Sequence, residues 1–184
     1  MKIVLIGLIA LAGHLSAQTS LESEKNSDEN PTQHTTYEHT NLSPQQVEQV
    51  LEIHNQARSE VGVEALQWSD ELAAYAQEWA DSLAGSGCQM NHRTDSDKGE
   101  NLYWTSRVSE TTPTDAVHGW YSEKQGFNNE EINADNIYAI GHYTQMVWKD
   151  TREVGMGMAV CKNGGAIVVA NYDPPGNYLG EKAY

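Results

Sequence analysis

Four side chains of the 184-residue sequence have the chemistry of a small polar site: His92, Glu100, Glu123 and His142. They lie in segments where apolar residues show no clear helical or strand period. Neutral imidazole binds Zn²⁺ and similar cations well, and two imidazoles leave coordination positions open. Carboxylates beside such histidines usually orient the ring nitrogens. The residue types therefore allow a cation site, without fixing which residue does what.

Several catalytic signatures are missing from the sequence. It has no Gly-x-Ser-x-Gly elbow, no phosphate-binding glycine loop and no His-Glu-x-x-His. A nucleophilic Cys88 with His92 as its base is conceivable, but Cys161 offers Cys88 a simpler partner. His54 lies on the apolar face of a predicted helix, where a buried, hydrogen-bonded role is the expectation. Common hydrolase and nucleotide-binding classes lose support.

The elements that must position the four residues begin with three helices. Ser43-Pro44 opens an amphipathic helix that ends at Gly62, and Ser69-Asp70-Glu71 opens a second that runs to Gly85. Thr112-Pro113 starts a third helix, which would carry Trp120 and Lys124 and place Glu123 on the side of Trp120.

The second half of the chain predicts strands. After a short helix around His142–Trp148, Val154 to Val160 alternates between apolar and small or charged residues, which is typical of a strand. Lys162 to Gly165 is a turn, and Ala166 to Asn171 is the return strand. Helices first and strands later favour an α+β fold with helices on an antiparallel sheet.

The N-terminal region predicts export. Met1-Lys2, an apolar run and Leu15-Ser16-Ala17 have the pattern of a secretory signal peptide, which gives a signal at 1–17, a disordered acidic linker at 18–41 and one domain at 42–184. The apolar run is shorter than the ~20 residues of a membrane-spanning helix. We therefore expect a secreted, extracellular protein without a membrane span.

Cysteine content and charge narrow the partners. Two cysteines in an exported chain favour a disulfide, which here would join Cys88 to Cys161. The formal net charge is −15, from 26 acidic and 11 basic residues. Nucleic acid and anionic lipid headgroups would be repelled by this charge, so neither is an expected partner.

Four segments, in order, resemble the signature motifs of one family. They are His54-Asn55-Gln56-Ala57-Arg58, Gly99-Glu100-Asn101-Leu102-Tyr103, the eight residues Gly141 to Trp148, and Asn171-Tyr172-Asp173-Pro174-Pro175-Gly176-Asn177. The chain thereby resembles the CAP superfamily, which groups cysteine-rich secretory proteins, antigen 5 and pathogenesis-related proteins around the SCP domain. The resemblance spans Leu42 to about Tyr178.

The resemblance implies a three-layer α-β-α sandwich with a central antiparallel sheet and a large cleft. It implies that His92 and His142 are the cleft's metal ligands, and that Glu100 and Glu123 are its carboxylates. It also supports the Cys88–Cys161 disulfide. The chain has Arg93 where the family usually has serine, so we expect a positive charge beside the cleft that weakens cation binding or attracts an anion.

We therefore expect a secreted, non-enzymatic binding or effector module. Its cleft would hold Zn²⁺ or another divalent cation, and its partner would be a protein or a small apolar ligand such as a lipid or sterol. The alternative is a metal-assisted hydrolase or peptidase, with Glu100 or Glu123 as general base. A third hypothesis holds that the polar cluster only stabilises the fold.

Overall fold

A computed structural model describes residues 37–108, 111–162 and 164–184. The predicted signal sequence and most of the predicted linker lie outside these residues. The described chain contains four α-helices, a 3₁₀ helix and four strands. Their bounds are α1 Pro44–Glu60, β1 Gln67–Trp68, α2 Asp70–Gly85, β2 Gly99–Thr105, α3 Pro113–Ser122, the 3₁₀ helix Glu123–Gly126, α4 Ile137–Met146, β3 Glu153–Val160 and β4 Ala166–Asp173.

The helix starts agree with the capping residues of the sequence. Ser43 accepts a hydrogen bond from the Gln46 backbone, and the Gln46 side chain accepts one from the Ser43 backbone, which is a capping box. Ser69 caps α2 through the Leu72 N–H. The three predicted helices are confirmed, although α3 ends at Ser122 and the chain continues as the 3₁₀ helix. This change of winding removes Glu123 from the α3 helix proper.

The fourth helix begins earlier than predicted. It starts at Ile137, because the Asn133 side chain accepts the backbone N–H groups of Asp135 and Asn136 and turns the chain into the helix. His142 therefore lies in the middle of α4 rather than at its start. Regular helical backbone on both sides therefore fixes the direction in which the His142 side chain leaves α4.

The four strands form one sheet in the order β1-β3-β4-β2. β3 and β4 form the predicted hairpin, and β2 pairs antiparallel with β4, with Glu100 opposite Asn171. The two-residue β1 pairs parallel with β3. The central antiparallel sheet that was expected is thus present, and one short parallel strand extends it, because the link between α1 and α2 lays Gln67–Trp68 alongside the start of β3.

Two hydrophobic cores lie on the two faces of the sheet. On β4, alternate residues divide between them: Val168, Ala170 and Tyr172 face α1, α3 and α4, whereas Ile167 and Val169 face α2. All five are fully buried. This burial on both faces makes β4 the central strand of the expected α-β-α layers.

The α2 layer approaches the sheet unusually closely at two glycines. A Cβ placed on Gly155 would lie 2.1 Å from the Ala73 backbone nitrogen, and one on Gly157 would lie 2.4 Å from the Gln77 Cα. The backbone of a helix cannot make room for such a Cβ unless the whole helix moves. The Gly-Met-Gly sequence of β3 therefore sets how near α2 lies to the sheet.

Residues just before α1 also contact this domain. The Thr40 hydroxyl donates to the Met156 carbonyl at 2.8 Å, and the Asn41 N–H donates to the Gln77 side chain at 3.0 Å. Tyr37 packs against the core with its ring edge towards Trp68. Thus residues 37–41, which were predicted to belong to the linker, make contacts with the domain.

Candidate functional site

His142 and Glu123 form a tightly held pair. The His142 Nδ1 lies 2.6 Å from Glu123 Oε1. Glu123 Oε2 accepts the backbone N–H of His142 at 2.9 Å and that of Tyr143 at 3.1 Å. The indole of Trp120, on α3, stacks near-parallel to the His142 ring at 6.2 Å between centroids. The 3₁₀ turn thus fixes both the backbone and the ring of His142.

His92 and Glu100 form a second pair with the same connection. The His92 Nδ1 lies 2.8 Å from Glu100 Oε1, which also accepts the backbone N–H of Arg93 at 3.1 Å. The hydrogen bond to Glu100 raises the pKa of His92, and partial burial opposes the rise. The Glu100 side chain is 6% exposed whereas that of His92 is 64% exposed. The carboxylate is the fixed partner, on β2, and the histidine lies on the loop before it.

The Arg93 side chain packs against α2. Its guanidinium lies 3.8 Å from the centre of the Tyr75 ring and 5.1 Å from that of Trp79, and it donates to the Tyr75 carbonyl at 2.8 Å. Glu78 lies 3.4 Å away. The aromatic side chains of α2 thus attract the guanidinium, and this contact holds the His92 loop against α2.

The two pairs meet at one cleft of about 290 Å³. Three of the four predicted residues line it, and Glu123 lies behind His142. The lining residues are His92, Glu100, Asn101, Ile137, Tyr138, Gly141, His142 and Asn177. A larger cavity of about 450 Å³ lies by the ends of α2 and β3, but none of its lining residues is a histidine. The cleft is therefore the site with candidate chemistry.

The hydrogen bonds define how the imidazoles face the cleft. An ionised carboxylate only accepts hydrogen bonds, so Nδ1 of each ring carries the proton and Nε2 keeps its lone pair when the ring is neutral. Within the described residues, neither Nε2 has a protein partner. This arrangement, with Nδ1–H held by a carboxylate, is typical of metal-binding histidines.

The fit to a cation is partial. Glu100 Oε2 is buried and accepts no hydrogen bond from the described part of the chain. However, the described residues contain no group of three or more His, Cys, Asp or Glu side chains that could hold a metal ion. The protein's contribution would thus be two imidazoles, with the remaining ligands supplied from outside.

Sequence reasoning missed the residues that connect the cleft to the core. Asn101 Nδ2 donates to the His142 carbonyl at 3.1 Å and lies 3.2 Å from the Tyr172 hydroxyl, which is 2.9 Å from His54 Nε2. Asn177 bonds to Gly141 and Thr144 of α4. Both asparagines lie in the four motifs, which was the available signal. No motif or pattern in the sequence indicated that Tyr138 lines the cleft.

His54 has the structural role that was expected. It is fully buried, and its Nδ1 bonds to the Val50 carbonyl at 2.7 Å. Burial lowers the pKa of His54 to about 4. Arg58, one turn later, donates to the carbonyls of Met146, Trp148 and Thr151 and so holds the end of α4.

The structure pairs Cys88 with Cys161, with 5.8 Å between the Cα atoms. Neither sulfur is then free to act as a nucleophile, which removes the Cys88–His92 alternative. The bond joins the loop that carries His92 to the end of β3. No helix within the described ranges has the length and apolar character to cross a membrane.

Comparisons with known proteins agree with these features. The model of the cysteine-rich secretory protein family matches residues 51–172. Pathogenesis-related protein 1C of Nicotiana tabacum is 44% identical over 134 residues, which cover 73% of this chain and 78% of that protein. Pathogenesis-related protein 1 of Arabidopsis thaliana is 42% identical, covering 73% of this chain and 80% of that protein.

Solved structures share the fold. BmVAL-1 has a TM-score of 0.68 at 26% identity, covering 81% of this chain and 86% of that one. NaASP2, solved with Zn²⁺, has a TM-score of 0.68 at 24% identity, covering 78% and 86%. The family expectation from the four motifs is confirmed, as is the α+β sandwich. The chain belongs to the cysteine-rich secretory protein (CAP) family.

Proposed function

We propose that this protein is a secreted binding module whose cleft holds a divalent cation, such as Zn²⁺, between His92 and His142. The observation that carries the proposal is the matched orientation of the two rings: each Nδ1 is bound by a glutamate, and each Nε2 is left without a protein partner in the described chain. Export is proposed from the signal pattern at residues 1–17.

The two imidazoles leave open positions on a cation that an external ligand would fill. Zn²⁺ supplies Lewis acidity when bound, and the chain's residues hold it and orient its ligands. NaASP2 was solved with Zn²⁺; that is a fact about that protein, and the support for this chain comes from its own side chains. A protein or a small apolar molecule is the proposed partner of the loaded module.

Calorimetric titration of the chelator-treated protein with Zn²⁺ tests the proposal. We expect one binding site in the parent protein and loss of binding in His142→Ala. His118→Ala is the matched control, because His118 is an exposed histidine on α3 that does not line the cleft. Absence of binding in the parent, or an equal loss in both variants, contradicts the cation site.

One observation favours the hydrolase as a second candidate. A general base needs a carboxylate oxygen that is not already bound by a donor, and the buried Glu100 Oε2 is the one glutamate oxygen of the two pairs with no hydrogen-bond donor among the described residues. Glu123 has donors on both oxygens, which makes it the weaker base candidate. Metal-dependent turnover of a peptide and ester panel, abolished by Glu100→Gln, would support this function, and no turnover in the parent would reject it.

A further inference from the structure

Exposed hydrophobic side chains are concentrated around the cleft. Among the described residues, six large hydrophobic side chains are exposed. Four of them either line the cleft or lie within two residues of a lining residue, and these four are called the cleft rim: Met90, Tyr138, Tyr178 and Leu179, with exposed fractions of 53%, 90%, 49% and 69%. Tyr138 lines the cleft itself, Tyr178 follows the lining residue Asn177, and Met90 is two residues before His92.

Hydrogen bonds join two of the rim segments, the one that leads into α4 and the one that follows Asn177. The Ile132 N–H donates to the Glu181 carbonyl, and the Gly180 N–H donates back to the Ile132 carbonyl, both at 2.8 Å. The turn that carries Tyr178 and Leu179 is therefore fixed beside the segment that leads into α4 and Tyr138. The Tyr178 ring also packs edge-on against buried Trp148, with 6.0 Å between centroids.

The two joined segments beside this surface carry only negative charges. Residues 128–138 contain Glu130, Glu131 and Asp135, residues 177–181 contain Glu181, and neither segment contains lysine or arginine. Lys149 lies 4.0 Å from Glu181, and Lys182 follows Glu181. The part nearest Tyr138 is thus acidic and carries no basic side chain of its own.

We propose that the cleft rim docks a basic segment of a partner protein, with aromatic or aliphatic residues on Tyr138, Tyr178 and Leu179 and lysine or arginine side chains on the neighbouring acids. Exposed apolar side chains grouped on one face mark interaction surfaces, and tyrosine is a frequent anchor at their centres. The acidic flank selects a basic partner and speeds its association. The net charge of −15 acts in the same direction.

This inference rests on the proposed function only in taking the cleft as the side that faces a ligand. The partner is a polypeptide, since one chain can present apolar and basic side chains together.

The test measures fluorescence anisotropy of a labelled lysine-rich peptide with a central tryptophan, using the full chain. We expect binding that weakens with added salt, no binding of the same peptide with glutamates in place of the lysines, and about a tenfold or larger loss in Tyr138→Ala. Leu179→Ala should weaken binding, whereas Val160→Ala should not, because Val160 is a similarly exposed aliphatic residue that lines the other cavity.

The remaining outcomes overturn the inference. They are no binding of the lysine peptide by the parent protein, equal binding by the parent and Tyr138→Ala, or Tyr138-dependent binding to phosphatidylcholine vesicles in place of the peptide. Each measurement is repeated with chelator and with Zn²⁺. Peptide binding that persists when no Zn²⁺ binding is found would reject the cation site alone, and Zn²⁺ binding without peptide binding would reject the rim alone.

Discussion

The substitution Glu123→Gln keeps the His142 ring but changes which of its nitrogens carries the proton. Glutamine keeps the size of the side chain but has one acceptor oxygen and one amide group that donates. The oxygen is required by the two backbone N–H groups of His142 and Tyr143. The amide therefore faces His142 Nδ1, which must now accept the hydrogen bond.

This reversal moves the ring proton from Nδ1 to Nε2, the nitrogen that is proposed to bind the cation. Binding would then require the hydrogen bond between the introduced amide and His142 to break and the proton to move back, at a cost of about 2 kcal/mol, which is about 30-fold in Kd. The backbone hydrogen bonds remain, so the loss of unfolding free energy should be only about 1–2 kcal/mol.

Two measurements check this prediction. Long-range ¹H–¹⁵N NMR of the histidine side chains should show the Nδ1–H tautomer of His142 in the parent protein and the Nε2–H tautomer in the variant. Calorimetry should show the weaker Zn²⁺ binding. Glu60→Gln is the control for removing one charge, because Glu60 accepts from Tyr121 and Lys124 and lies outside the cleft. An unchanged tautomer together with an unchanged Kd would refute the reasoning.

Three further predictions concern the scaffold. Gly157→Ala should cost about 3 kcal/mol or more in urea unfolding, because its Cβ would lie 2.4 Å from the Gln77 Cα; Gly85→Ala, whose Cβ meets nothing within 4 Å, is the control. The pKa of His54 falls from 6.5 to about 4 on folding, so below pH 6.5 the unfolded chain binds more protons and stability drops by about 3 kcal/mol by pH 4; a pH series in which His54→Gln retains the same slope would exclude His54 as the cause. Reduction of the Cys88–Cys161 bond, which closes a loop with a sequence separation of 73, should cost about 4 kcal/mol in the same assay, and an unchanged midpoint would contradict that value.

The sequence predicted the parts of the fold that depend on local rules. Caps such as Ser43 and Ser69, apolar residues at helical spacing, and the turn before Ala166 each act within a few residues. β1 and β2 were missed for different reasons. β1 has only two residues and exists because of its pairing with β3. β2 was treated only as a motif, and its strand structure comes from seven cross-strand pairs with β4.

The site was predicted by residue type and motif, but its connections were not. Which glutamate pairs with which histidine depends on the 3₁₀ turn at Glu123 and on the loop before Glu100, neither of which has a hydrophobic period. Arg93 is the clearest example of a contact that the sequence could not predict. Its charge was expected beside the cleft, but the contact with Tyr75 depends on how the loop folds back onto α2.

The two histidine–glutamate pairs differ in how firmly they are held, and this difference predicts which one limits ligand binding. Glu123 fixes the His142 ring and two backbone N–H groups of the same helix, so His142 is preorganised by α4. His92 is 64% exposed and lies on a loop that depends on the disulfide at Cys88 and on the packing of Arg93 against Tyr75. A ligand that needs both rings must order this loop, and the entropy of ordering reduces affinity. Arg93→Ala should therefore weaken Zn²⁺ binding while the Nδ1–H tautomer of His142 stays unchanged, and a shift of both together would show that the two pairs behave as one unit.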